Sequence, residues 1–115
     1  MIKTRVRDPA IRKLVQALND QRMTDESVTV KLCRGYYVVG DSDNMGFGVY
    51  IPSKGLILLA DIAPDIEKEI SRQEFFAQNL GHEYKHHLQY VNGEPYDEDA
   101  AHAFAQEFMK SVVAV

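Results

Sequence analysis

A lone cysteine, Cys33, is all the thiol chemistry that this 115-residue chain carries. With no second cysteine it cannot form an internal disulfide, which points to a reducing compartment. Long apolar runs are missing too: nowhere do hydrophobic residues approach the length needed to span a bilayer. The opening Met1-Ile2-Lys3-Thr4-Arg5-Val6-Arg7 carries charge with no apolar stretch after it, so no secretory leader is expected. Cytoplasmic residence is the default, without membrane contact. An excess of positive charge is lacking as well, and the formal net charge of −4 argues against general nucleic-acid binding. The basic residues that do cluster, Lys3, Arg5, Arg7, Arg12 and Lys13, read as a solvated helix face. No repeat, linker or low-complexity stretch divides the chain. Its length suits one domain over residues 1–115, with a single core and no room for two lobes around a deep cleft.

What is present is a sequence of well-punctuated elements. Asp8-Pro9 offers an N-cap and a first-turn proline, and Ile11, Leu14, Val15 and Leu18 recur at helical spacing, predicting a helix over 9–20. Val28, Val30 and Leu32 alternate with polar residues, and Tyr36 to Val39 extends the pattern, as two strands or one bent hairpin. A polar turn at Asp41 to Gly46 precedes a strand over Phe47 to Ile51. Pro52-Ser53-Lys54-Gly55 then turns the chain into Leu56 to Ala60, a strand apolar enough to be buried on both faces. Ser71-Arg72-Gln73-Glu74 is a capping box, so a long helix starts near 72 and ends at Asn92-Gly93. A loop at Glu94-Pro95-Tyr96 leads to a last helix over roughly 97–113. The expected fold class is α+β: an N-terminal helix, a small three- or four-stranded, mainly antiparallel sheet, and two further helices.

Chemistry concentrates in His82-Glu83-Tyr84-Lys85-His86, an H-E-x-x-H pattern inside the long helix. Histidines four apart stand one turn apart on the same face, close enough to bind one zinc ion, and Glu83 sits where it can take a proton from a water on that metal. Phe76, Leu80, Tyr84, Leu88 and Val91 fall on the opposite side, so each face needs its own cover. Gly81 costs about 1 kcal/mol of helix propensity against alanine, which implies close approach of another backbone. Catalytic zinc needs a third protein ligand and one open position. The last helix offers Glu98, at the edge of an apolar stripe of Ala101, Phe104, Ala105, Phe108 and Val112. Nearby Ala100, Ala101 and Ala105 remove bulk, so that two helices can pack closely.

These residues, His82-Glu83-x-x-His86 followed by Glu98-x-x-Ala101-x-x-Phe104-Ala105, resemble the gluzincin clan of zinc peptidases, above all the ImmA/IrrE-type metallopeptidases and the minigluzincins. The resemblance covers Gly46 through Phe108 in layout. It implies zinc on His82, His86 and Glu98, a general base and acid role for Glu83, and edge addition of an extended peptide to the strand Leu56 to Ala60. It also implies an intracellular protease, or a latent enzyme blocked by its own tail. A protein or peptide is then the substrate, and a regulatory partner or a second copy of the chain are the other candidate partners. The connection of eleven residues between His86 and Glu98 is shorter than in many gluzincins. In a straight helix pair His102 lies nearer the height of His86, so it stands as an alternative ligand or a substrate-binding group. Tyr96 and His102 are the candidates for stabilising an oxyanion. A second reading, from a different class, is a catalytically silent metal-binding module that engages other proteins.

Four other features read more plainly. His87 falls on the apolar side and is expected to be a hydrogen-bonded core histidine. Asp41 to Gly46 has the outline of a calcium loop, but Met45 fills a ligand position and Pro52 stands where a bidentate glutamate belongs, which excludes it. Cys33 reads as a small hydrophobe in a strand, with a zinc latch as its weaker alternative. The tail Ser111 to Val115 completes the core, meets a partner, or folds over the cleft.

Overall fold

The computed structural model of the chain describes residues 1–41, 44–62 and 71–113. The elements, in order, are β1 (Ile2–Thr4), α1 (Pro9–Asp20), β2 (Val28–Cys33), β3 (Val38–Val39), β4 (Met45–Gly46), β5 (Gly48–Ile51), a 3-10 turn at Pro52–Lys54, β6 (Leu56–Ala60), α2 (Arg72–Val91) and α3 (Glu98–Val113). This is the α+β layout expected, with one element added at the front.

The sheet runs β1-β2-β6-β5, and a separate two-stranded ribbon joins β3 to β4. β1 pairs with β2, and β2 with β6, in parallel; only β5 with β6 and the small ribbon are antiparallel. The expected mainly antiparallel sheet is therefore mixed. The reason is β1: the chain leaves it, climbs α1 and returns beside it as β2, the crossover that a parallel pair requires. Lys3 belongs to β1, Arg5 and Arg7 to the exposed segment after it, and only Arg12 and Lys13 to α1, so the basic cluster is not one helix face.

Local chemistry sets the helix ends. The Asp8 side chain accepts from the Ala10 N–H at 2.9 Å, with Pro9 in the first turn of α1. At α2 the capping box is complete: the Ser71 hydroxyl accepts from the Glu74 N–H at 3.1 Å, and the Glu74 carboxylate accepts from the Ser71 N–H at 3.4 Å. α2 ends at Asn92.

The core fills the space between one sheet face and the helices. Ile11, Leu14 and Leu18 from α1 meet Val28, Val30, Ile57 and Leu59 from the strands, and Phe76, Leu80 and Tyr84 from α2. A smaller cluster of Val38, Val49 and Ala60 takes in the half-buried Cys33, in line with its reading as a small hydrophobe. His87 is buried in the core as expected. Its Nε2–H donates to the Glu26 carbonyl at 3.3 Å, which leaves Nδ1 to accept from the Tyr50 hydroxyl at 2.9 Å. That bond ties β5 to α2.

β6 lies between β2 and β5, hydrogen-bonded on both sides, so the expected edge addition of a peptide to Leu56–Ala60 has no free edge to use. The edge strand on that side of the sheet is β5. The calcium-loop outline includes residues 42–43, and the tail ends in 114–115; both of these stretches lie outside the described residues.

α2 and α3 pack against each other where the sequence placed its small residues. A Cβ on Gly81 would stand 3.2 Å from the Cα of Ala105 and 3.1 Å from Cδ2 of Phe108. Close backbone approach is thus the use of Gly81. Gly81→Ala gains about 1 kcal/mol of helix propensity and loses about 2 kcal/mol to overpacking. The expected outcome is a net loss near 1 kcal/mol, read as a lower urea midpoint with an unchanged slope.

Candidate metal centre

Three potential ligand side chains converge where α2 and α3 meet. His82 and His86 occupy successive turns of α2, and Glu98 is the first residue of α3. His86 Nε2 lies 3.2 Å from His82 Nε2 and 2.7 Å from Glu98 Oε1, and His82 Nε2 lies 3.3 Å from Glu98 Oε2. Donors about 2.0–2.1 Å from one tetrahedral zinc stand roughly 3.3 Å from each other. The spacing and the donor set therefore fit a divalent ion. Among the described residues these three form the one cluster of His, Cys, Asp or Glu able to hold a metal.

The electrostatics agree with ligand duty. Burial, chiefly, lowers the pKa of His82, with His86 adding to the effect while Glu98 opposes it. The imidazole is thus held toward its neutral, lone-pair form. For Glu98 burial works against the charge, but the Tyr96 hydroxyl, His82 and His86 outweigh it and keep the carboxyl below its usual range. Glu98 remains largely open to solvent, whereas His86 is buried.

Glu83 stands apart from the three and is packed into the wall between α2 and β5. It is 9% exposed, and burial first, then the charge of Glu98, pushes its pKa up to about 8 against a backbone hydrogen bond from Tyr50. Gly48 makes room for it: a Cβ there would come within 3.2 Å of Glu83 Cγ. Two openings meet at Glu83. One, about 190 Å³, is walled by Tyr50, Pro52, His86, Tyr90 and Tyr96; the other, about 170 Å³, by Gly48, Asn79, His82 and His102.

Tyr96 stacks on the His86 ring, centroids 4.1 Å apart and planes 6° from parallel, and its hydroxyl donates to Glu98 Oε1. His102 is exposed and lies outside the three-residue cluster. Asp97, exposed to solvent, caps α3 by accepting the Ala100 N–H at 3.0 Å. One buried polar residue escaped the sequence reading. Gln89, 3% exposed, places its Oε1 2.9 Å from His86 Nδ1. Its signal was positional: it follows His86 by three residues, and so shares that side of the helix.

No protein-family model, curated protein or solved structure matches the chain. The likeness to gluzincins rests on the motif residues alone. Among the described residues no helix is long and apolar enough to cross a membrane.

The burial of Glu83 carries a stability signature in the metal-free protein. Its folded pKa of about 8 exceeds the ordinary value of 4.5, so the folded form keeps a proton that the unfolded chain releases. That contribution is complete below the ordinary value and is lost as pH rises through the folded one, with a slope of up to about 1.4 kcal/mol per pH unit. Glu83→Gln cannot ionise and lacks this slope. Urea unfolding of both proteins across this window should show the variant gaining on the wild type as pH rises; a constant difference would contradict the burial.

Proposed function

We propose that the chain is a zinc-dependent peptidase in which His82, His86 and Glu98 hold the metal and Glu83 serves as general base and acid. The observation that carries this reading is the convergence of two imidazole nitrogens and a carboxylate at 2.7 to 3.4 Å, beside a buried carboxyl on the same turn of α2. Protons on the imidazoles hold the three groups together as hydrogen-bonded pairs in the metal-free protein, and a divalent cation would replace those protons while keeping the same three atoms together. Bound there, zinc supplies Lewis acidity, acidifying water and polarising a carbonyl.

The rest is supplied by the chain. Glu83 has a pKa of about 8, near working pH, where a carboxyl both accepts and releases a proton. It takes the proton of the attacking water and passes it to the leaving amine. β5, the edge strand, runs past Glu83 at Gly48 and Tyr50, and an extended peptide pairing with it would lie across both openings. Tyr96 lines one opening and His102 the other, which supports substrate-binding roles for both.

The test is zinc content, zinc affinity and cleavage of a fluorogenic peptide library. The wild type is expected to bind one zinc and to cleave. Glu83→Gln should keep the zinc and lose roughly 100-fold or more in rate. Glu98→Ala should weaken zinc by more than the 10- to 100-fold that a supporting group outside the ligand set typically contributes, while His102→Ala should leave affinity near the wild-type value. Zinc retained without cleavage by any of these proteins would favour the silent interaction module, with Tyr96 bonded across Glu98 as its blocking group. No zinc at neutral pH would overturn both.

A further inference from the structure

One buried amide touches both halves of the ligand set. The Nε2 of Gln89 donates to the Asp97 carbonyl at 3.1 Å, and its Oε1 accepts from the Asp97 N–H at 3.3 Å. These two bonds fix the orientation of the amide, because a carbonyl can only accept and an N–H can only donate. The atom 2.9 Å from His86 Nδ1 is therefore oxygen. An amide oxygen cannot donate, so His86 carries a hydrogen on Nδ1; its Nε2 faces Glu98 Oε1 at 2.7 Å, donating there while the ring is protonated and offering its lone pair to the cluster once Nδ1–H is the ring's one hydrogen. The same peptide group starts α3: the Asp97 carbonyl also accepts the Ala101 N–H at 3.1 Å, and Glu98 follows in the chain.

We infer that Gln89 is the positioning residue of this site. A single side chain fixes which nitrogen of His86 faces the cluster, and, through the backbone of Asp97, where the helix bearing Glu98 begins. Tyr96 holds the other aspect of the same ring by stacking, so His86 is confined both in tautomer and in rotation. This inference rests on the metal-site reading above for its purpose, though not for its geometry.

The test reads geometry and affinity separately. Nitrogen-15 NMR of the metal-free protein at a pH where imidazoles are neutral gives the tautomer of each histidine. The wild type is expected to show His86 as the Nδ1–H form. Gln89→Met is expected to give a mixture and to bind zinc 10- to 100-fold more weakly in chelator competition. Gln89→Glu retains an acceptor for Nδ1–H and loses the donor to Asp97, so it should keep the tautomer while zinc affinity still falls. An Nε2–H tautomer in the wild type overturns the inference without any variant. So does a folded Gln89→Met protein with wild-type tautomer and affinity. A locked tautomer in a wild type that binds no zinc would count against the metal reading alone.

Discussion

The close packing of α2 against α3 sets the geometry of the candidate metal centre. Gly81 lets the Ala105 backbone approach α2 more closely than a Cβ would permit, and the ligands sit one and five residues further along the same helix. A Cβ at Gly81 would press on Ala105 and Phe108, and widening the gap there would draw α3, which carries Glu98, away from the two histidines. Dense packing elsewhere makes such a shift cooperative rather than local, since Phe108 joins the core cluster containing Leu80 and Tyr84.

Around that contact the chain arranges two kinds of carboxyl group. Glu98 stands in solvent among donors and is kept charged; Glu83 is enclosed by β5 and α2 and is kept near neutral. Like residues in unlike surroundings are what the proposed chemistry would need, one carboxyl kept charged and the other kept protonated. The strand that encloses Glu83 is held in place by Tyr50 and its bond to His87, so a core histidine with no part in binding metal still sets the shape of the cleft.

Much of this was legible in the sequence because its signals are local. α1 was bounded by Asp8-Pro9 and by apolar spacing, and α2 by its capping box, each readable within a few residues. The pairing of His82 with His86 followed from helical periodicity, whereas Glu98 was singled out by the family likeness, because straight helix geometry pointed to His102 instead. What escaped were the non-local facts. β1 is three residues long, too short to show alternation, and without it the parallel pairing of β2 cannot be foreseen. The run Leu56 to Ala60 lacks charge, the mark of an interior strand, and that pattern outweighed the family likeness that suggested an edge. Gln89 looked like one more polar residue beside Leu88 until its partners appeared.

Glu98 follows His82 by sixteen positions, while the β1–β2 ladder joins residues such as Ile2 and Val28. The candidate ligand set is thus the work of one helical hairpin, and the loop that a metal would close there is short, with little chain entropy to surrender. The hairpin closes over a short stretch of chain, whereas the β1–β2 ladder must bring together residues as far apart as Ile2 and Val28.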